Sequence, residues 1–320
     1  MALYFGRDRL APTFFEESFP AILPPTSSLV YTLSSNGEYY IIGAGFNSIE
    51  EIEADTNGGI NGSGLDSSWT GGKLVIPAEY NGKPVKAIAP KAFAAIYNIT
   101  QVYIYDGLTT IGHRCFQCPD AIYDTAMISC RLPNTLEYVG GTSGRLFWGR
   151  QGLVYITFPD RIDTLTNSIL AYCNAVTTVN LHSIKTIQNA AFQQCFGLTT
   201  LNAINLIEIQ ANVFYNCRGL RELNLPKIEI ISTNCFYNTN ILTSVTIGPN
   251  CKSIDNSGLK CGSETNKCTF KFEGTIPPII TTSTFEVKYI NKIIVPRGCG
   301  NVYKTATNWA GIASYIEEEA

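Results

Sequence analysis

The sequence predicts a mainly β, or α/β, repeat solenoid: about eight units of 22–23 residues stacked on a parallel β sheet, with both ends capped. Three observations predict it. One phrase recurs, as Ile187-Gln-Asn-Ala-Ala-Phe192-Gln-Gln-Cys195-Phe-Gly-Leu198 and again as Ile209-Gln-Ala-Asn-Val-Phe214-Tyr-Asn-Cys217-Arg-Gly-Leu220. Its period is regular, because Leu165, Ile187, Ile209, Ile231 and Ile254 follow one another at intervals of 22, 22, 22 and 23 residues. Apolar residues also keep fixed offsets from each opening residue, at 0, 5, 11, 14 and 16. A unit this short cannot bury its own apolar face, so copies must stack.

The N-terminal segment differs in kind from the repeats. Residues 1–28 carry Phe14, Phe15, Phe19, Pro20, Pro24 and Pro25. This is too aromatic for a solvated tail and too short for a core, so it is read as an arm that packs on something else. Leu29–Leu33 and Glu38–Ile42 flank Asn36-Gly37, a hairpin signal. The hairpin is expected to cover the open end of the solenoid within a cap spanning residues 29–86. Asp55–Ser68 is rich in Gly, Asn and Ser and is expected to be a loop.

The repeats occupy residues 87–274. Their first unit opens at Ile88 without gaps. The second, from Ile111, needs about five extra residues near Pro119–Ala126, and the third, from Val139, about three near Gly140–Thr142. Offsets 14 and 16 alternate in Val179-Asn-Leu181, Leu201-Asn-Ala203, Leu223-Asn-Leu225 and Val245-Thr-Ile247, which makes each a strand with one face inward. This is one strand per unit and a single sheet. The Ala-Phe pair at offsets 4 and 5 enters the core from a turn or short helical segment. Each unit buries roughly five apolar side chains, at about 1.5–3 kcal/mol apiece before chain entropy opposes them. Residues 275–320 form the second cap, where Tyr303 and Trp309 close the last apolar layer.

The recurring phrase, I-xxxx-F-xx-C-xx-L-xx-L-x-LP, resembles the BspA-like (Treponema-type) leucine-rich repeat. The lead-in Val75-Ile-Pro-Ala-Glu-Tyr-Asn-Gly-Lys-Pro-Val85 and the ending Ile294-Val-Pro-Arg-Gly298 with Tyr303–Trp309 are also similar to members of that family. The resemblance covers roughly residues 73–316. It implies a curved leucine-rich-repeat solenoid used for adhesion and recognition, without catalysis.

Composition narrows the function. Net charge is −3 and only 15% of residues are charged, so no basic patch suits nucleic acid. No apolar run approaches a membrane span. Eleven cysteines suggest disulfides, but the number is odd. Cys173, Cys195 and Cys217 share offset 8, Cys118 falls one position short of it, and Cys115 and Cys235 take offset 4. They read as reduced core thiols, which implies folding in a reducing cytoplasm. A bridge between Cys261 and Cys268 stays open. Cys115 and Cys118 form C-x-x-C on core offsets without a second pair at zinc spacing, so packing is preferred to a metal.

No reaction centre emerges. His113 and His182 lie in separate units and read as surface or turn residues. Glu208, Glu222, Glu229 and Asp255 are scattered and show no facing pair. Asp55–Asn61 fits a calcium loop poorly, with Ile60 where glycine is needed. No Lys-Ser/Thr pair follows Gly58, Gly59, Gly62 and Gly64, so a phosphate cradle is not expected. The expectation is a protein that is not an enzyme and has no cofactor, metal or catalytic residue.

What remains is surface. Offsets 13 and 15 point away from the core and stack along the sheet, about 4.8 Å apart. Tyr103, Arg131, Tyr155, Thr157, Asn180, Asn202, Asn224 and Thr246 form the candidate binding row, for a host cell-surface glycan or protein. The plainer reading of Asn180, Asn202 and Asn224 is an amide ladder that stiffens the stack. Trp148, Tyr215 and Tyr237 share offset 6, where partial burial between units is the ordinary explanation.

The opening Met1-Ala-Leu-Tyr4-Phe5-Gly6 resembles short starts of structural proteins in tailed bacteriophages and prophages, where the start is an attachment segment. The resemblance implies a virion protein, made in the bacterial cytoplasm and joined to other virion proteins through residues 1–28, with Tyr4, Phe5, Phe14, Phe15 and Phe19 as anchors. Met1–Pro12 lacks the pattern of an export signal. The alternative is a cellular BspA-like surface adhesin of a bacterium or parasitic protist. The sequence leaves self-association open.

Overall fold

A computed structural model describes residues 25–55, 63–119, 126–141 and 143–320. The anchors Tyr4, Phe5, Phe14, Phe15 and Phe19, and residues 56–61 of the weak calcium pattern, lie outside the described residues. The chain winds as a parallel β solenoid of about ten turns with little helix.

The alternating triplets form the strands that their period predicts. Ile99–Ile104, Ser129–Arg131, Tyr155–Thr157, Thr178–Asn180, Thr200–Asn202, Glu222–Leu225, Ser244–Ile247 and Cys268–Phe272 lie on successive turns. Their register is set by the repeat, so Val179 pairs with Leu201 and Leu223 with Val245. Gly72–Ile76 adds a strand before this series, and Ile290–Val295 and Ile316–Glu318 add two after it.

A second parallel ladder corrects the single-sheet expectation. Thr110–Ile111, Tyr138–Val139, Thr164–Leu165, Thr186–Ile187, Glu208–Ile209, Ile230–Ile231, Ser253–Ile254 and Ile279–Ile280 are short strands that end on the opening residue of each unit or on its equivalent. Each has one outward and one inward residue. Two residues contain no alternation to detect, so the period-2 signal was silent here.

The third side of each turn is hydrogen-bonded without being a strand. Ala190, Phe192 and Gln194 donate their N–H groups to the carbonyls of Ala211, Val213 and Tyr215 one turn on, at 2.9, 3.1 and 2.8 Å. The next turn repeats this from Asn212, Phe214 and Asn216. The backbone can do so because offsets 3 and 7 are left-handed, with φ of 59° at Asn212 and 63° at Asn216. Asn tolerates that region better than most residues. The Ala-Phe pair therefore enters the core from a turn.

Side chains at equal offsets stack into columns. Phe93, Phe116 and Phe147 lie ring over ring at 5.3 and 5.4 Å, and Phe192, Phe214 and Phe236 at 5.4 and 5.3 Å. Beside them, Cys173, Cys195 and Cys217 donate their thiols to the carbonyls of Phe147, Leu170 and Phe192, at 3.1, 3.0 and 3.0 Å. All eleven cysteines are free, including Cys261 and Cys268, and only Cys299 is more than slightly exposed. Burial pushes the Cys195 and Cys251 thiols up to about 12, far from the reactive thiolate.

Arg150 was not anticipated as a core residue. It stands where other units place the offset-8 cysteine, once the third unit's three extra residues are allowed for, and its side chain is fully buried. Its guanidinium donates to the carbonyls of Phe116 (2.6 Å), Ile96 (2.9 Å) and Phe93 (3.2 Å), tying its turn to the turns before it. Buried carbonyls disperse the charge that burial would otherwise penalise.

At the N-terminal end, Tyr31–Leu33 and Tyr40–Ile42 form the expected hairpin. Tyr40–Ile42 pairs in parallel with Lys83–Ile88 and prolongs the short-strand ladder. A helix at Ile49–Ala54 follows, capped by Ser48 and burying Ile52. At the other end Trp309 lies 5.3 Å from Phe272 and 5.0 Å from Tyr303, and both residues are fully buried. Their polar tips are satisfied: Trp309 donates to the Pro278 carbonyl and Tyr303 to the Gly274 carbonyl.

The Phe column makes the stack interdependent. Phe214→Ala removes the middle ring of one stacked trio and is expected to lower unfolding stability by about 3–5 kcal/mol. Equilibrium denaturation checks this. A loss below about 1 kcal/mol would show that the turns do not depend on the column.

Candidate functional site

The polar row stands on the long-strand ladder, where parallel pairing fixes which side chains are neighbours. Tyr103, Arg131 and Thr157 are in register, as are Asn180 with Asn202 and Asn224 with Thr246. Thr157, Asn180, Asn202 and Asn224 are exposed, while Tyr103, Arg131, Tyr155 and Thr246 are half-buried. Hydrogen-bonded pairing lapses between Tyr155–Thr157 and Thr178–Asn180, and again between Thr200–Asn202 and Glu222–Leu225. The row is thus three short segments.

The segments differ in character. In the first, the Arg131 guanidinium sits 4.7 Å from the Tyr103 ring centre, donates to the Ile104 carbonyl at 3.0 Å and faces Asp106 at 3.8 Å. Tyr105 adds an edge-on ring 4.8 Å from Tyr103. In the second, Asn202 donates to the Asn180 side chain across a long 3.4 Å rung. Asn180 also accepts the His182 N–H at 3.1 Å, which closes the local turn. Among the described residues the amide ladder is this single rung, so most of the row's amide and hydroxyl groups face solvent.

One outward expectation is corrected. Gln101 and Ser129, at offset 13, are 7% and 0% exposed. The pleat fixes the direction of a side chain away from the core, but not whether other chain segments lie over it. Tyr155, Thr178, Thr200 and Glu222 continue that offset in the half-buried or exposed range.

The offset-6 aromatics behave as the plain reading expects. Tyr215 and Tyr237 stack at 5.4 Å with planes 7° apart, and Lys260 lies 5.5 Å over Tyr237. Trp148 meets Tyr172 edge-on at 5.2 Å. All four rings are half-buried between turns.

His182 is exposed on a turn, but His113 is not a surface residue. It is 2% exposed, and its Nε2 lies 3.1 Å from Asp55 at the end of the Ile49–Ala54 helix. Thr110 and Tyr138 reach Glu53 of the same helix. His113 therefore pins the helix to the solenoid. Its partner is 58 residues away in sequence, which is why spacing did not reveal it. Burial lowers its pKa, outweighing Asp55, which raises it; Arg114 and Lys91 nearby lower it further.

Among the described residues no group of three His, Cys, Asp or Glu side chains is placed to hold a metal ion. No described helix is long and apolar enough to cross a membrane.

The family comparison agrees with this geometry. The model of the BspA type leucine rich repeat region matches in six copies, over residues 79–195, 118–227 and 185–309. Solved structures similar to the chain include a leucine rich repeat protein of T. pallidum, at 20% identity, TM-score 0.43, covering 62% of this chain and 91% of that one. The pneumococcal vaccine antigen PcpA aligns at 13% identity and TM-score 0.43, over 93% and 97% of the two chains. A leucine rich cell surface protein of Faecalibacterium prausnitzii aligns at 17% identity and TM-score 0.37, over 95% and 96%. No curated protein matches.

The buried His113 makes stability depend on pH. Its folded pKa lies below the unfolded value of about 6.5. The unfolded chain then binds the proton more readily, so stability is full above about 6.5 and declines as pH falls below it. Thermal unfolding between pH 7.5 and 5 is expected to show this decline. His113→Asn is expected to remove that part of it. An unchanged pH slope in the variant would assign the decline to other groups.

Proposed function

This chain belongs to the BspA-type leucine-rich repeat family, and from its opening residues, which resemble tailed-phage attachment segments, we propose that its binding surface serves a bacteriophage particle. In this reading it is a fibre, tail or capsid-decorating component that presents the row to a host cell-surface glycan or protein. The observation that carries the binding part is the row itself: outward amide, hydroxyl and aromatic groups on a stiff parallel ladder. Such groups recognise sugars and polar protein surfaces through paired hydrogen bonds and ring faces. A rigid array loses little conformational entropy when it binds. Several copies on one particle would add avidity without new contacts.

Two features support the virion part. The opening residues resemble attachment segments of tailed-phage structural proteins, and the aromatic residues Tyr4, Phe5, Phe14, Phe15 and Phe19 suit docking on other virion proteins. Free buried thiols also suit folding in a reducing bacterial cytoplasm.

Mass spectrometry on virus particles purified from the source culture, with the cell-surface fraction run beside them, tests the location. The chain is expected in particles. Recovery from the cell surface alone would replace the virion reading with that of a cellular surface adhesin. The row is tested separately by replacing Asn180, Asn202 and Asn224 together with Ala. These side chains are exposed, so unfolding stability is expected to change by less than about 1 kcal/mol. Host-cell binding is expected to fall at least tenfold, and unchanged binding would move the contact off this row.

A further inference from the structure

Through the repeats the short-strand ladder follows a regular hydrogen-bond rule, which the Pro278 turn meets only in part and which is lost altogether at one junction. Two residues before each opening apolar residue, an N–H donates to the carbonyl of the turn before. One residue after it, another N–H does the same. Lys185 donates to Asp163 and Gln188 to Leu165, at 2.7 and 2.8 Å. Ile207 donates to Lys185 and Gln210 to Ile187, at 2.8 and 2.9 Å. Earlier in the chain, Glu137 donates to Thr109 at 2.9 Å and Gly140 to Ile111 at 2.8 Å. Between the turns that open at Val139 and Leu165 the rule fails. Among the described residues, no backbone bond joins the N–H groups of Asp163 or Thr166 to the carbonyls of Glu137 or Val139.

The cause is local. Val139 is followed by a glycine loop with φ of 67° at Gly140, 46° at Gly141 and 47° at Gly144, closed by a 2.9 Å bond from the Gly144 N–H to the Gly140 carbonyl. A Cβ at Gly144 would sit 1.8 Å from the Asn167 carbonyl oxygen, so only glycine fits there. Beyond the loop the turns rejoin, with Arg145 donating to Asn167 at 2.7 Å. Both strand ladders therefore lapse at this junction while the turns stay bonded, and a cleft of about 170 Å³ lies on the short-strand side.

The groups around the cleft suggest what would fill it. The freed N–H groups and carbonyls put donors and acceptors on facing walls. Thr166 Oγ1 is buried there without a partner. The carboxylates are already balanced: Glu137 pairs with Arg161 at 2.8 Å and Asp163 with Lys185 at 3.3 Å. Tyr138 contributes a ring held in place by its own hydroxyl, which donates to the Glu53 carbonyl at 3.1 Å.

We propose that this cleft binds one neutral pyranose unit of a saccharide. A sugar hydroxyl donates and accepts at once, as interleaved backbone groups require, and a pyranose face suits a fixed tyrosine ring. An apolar ligand would leave the freed polar groups unpaired, at about 1–3 kcal/mol each. A small ion would find its countercharges already engaged. An extended peptide would meet strands only two residues long, too short to hold a register. The site lies on the short-strand ladder, apart from the polar row, so the two can fail independently.

Saturation-transfer NMR on the full chain tests the proposal, with glucose, galactose, mannose and N-acetylglucosamine as neutral probes and glucuronate and inorganic phosphate as charged ones. Transfer to at least one neutral sugar is expected. Thr164→Trp, which fills the cleft from a half-buried position, is expected to weaken binding at least tenfold. Thr166→Val, which keeps the shape and removes the hydroxyl, is expected to weaken it about threefold or more. Lys267→Ala, at an exposed position in neither the cleft nor the polar row, is expected to leave it unchanged. If Thr164→Trp fails to fold, Thr166→Val decides. No transfer to any neutral sugar, selective binding of a charged probe, or full binding by the cleft variants would overturn the proposal.

Discussion

Hydrogen bonding from each turn to the next is the constraint on which the rest of this molecule depends. A turn of 22 residues has no interior of its own. It acquires one only when its inward side chains lie directly over those of its neighbours. Backbone pairing on three sides arranges this, through two strand ladders, each interrupted at one or two junctions, and one run of turns that alternate into left-handed conformation. The Phe columns and the thiol column then follow, because equal offsets are forced to coincide. Aromatic pairs at such distances add about 0.5–1.5 kcal/mol beyond the area they bury, so packing and pairing reinforce one another.

The same constraint explains the irregular places. An insertion can be absorbed only if the following residues return to register. The third unit does return, and one substitution and the inserted loop mark the cost. Arg150 replaces a small thiol with a fork of donors and reaches three carbonyls where cysteine reaches one. The glycine loop after Val139 leaves two backbone pairings unmade and opens the cleft. The helix at Ile49–Ala54 lies against this region, held by His113, Thr110 and Tyr138. Loop, cleft and helix thus gather at one place on an otherwise repetitive body.

For function, repetition means that the protein offers chemistry in rows. Groups that must converge on one reacting atom are hard to build from a translation along an axis, whereas a file of amides, hydroxyls and rings is easily built. The family, the ladder and the outward polar side chains therefore agree on binding. Burial pushes the Cys195, Cys217 and Cys235 thiols up, away from the reactive thiolate.

Much of this was legible in the amino-acid sequence. The period, the inward residues, the long strands, the core thiols and the closing role of Tyr303 and Trp309 follow from spacing, because in a solenoid the neighbour of a residue is its counterpart one period away. Tertiary structure decided whatever does not repeat. The two-residue strands carry no alternation. Arg150 looks like a surface residue until three carbonyls from earlier turns surround it. His113 is defined by a partner 58 residues distant, and Gln101 and Ser129 by what lies over them. The opened junction came from glycines whose effect on the next turn no local pattern records. Contacts at one period are written in the sequence as repetition, while contacts at any other separation leave no period and exist only once the chain has folded.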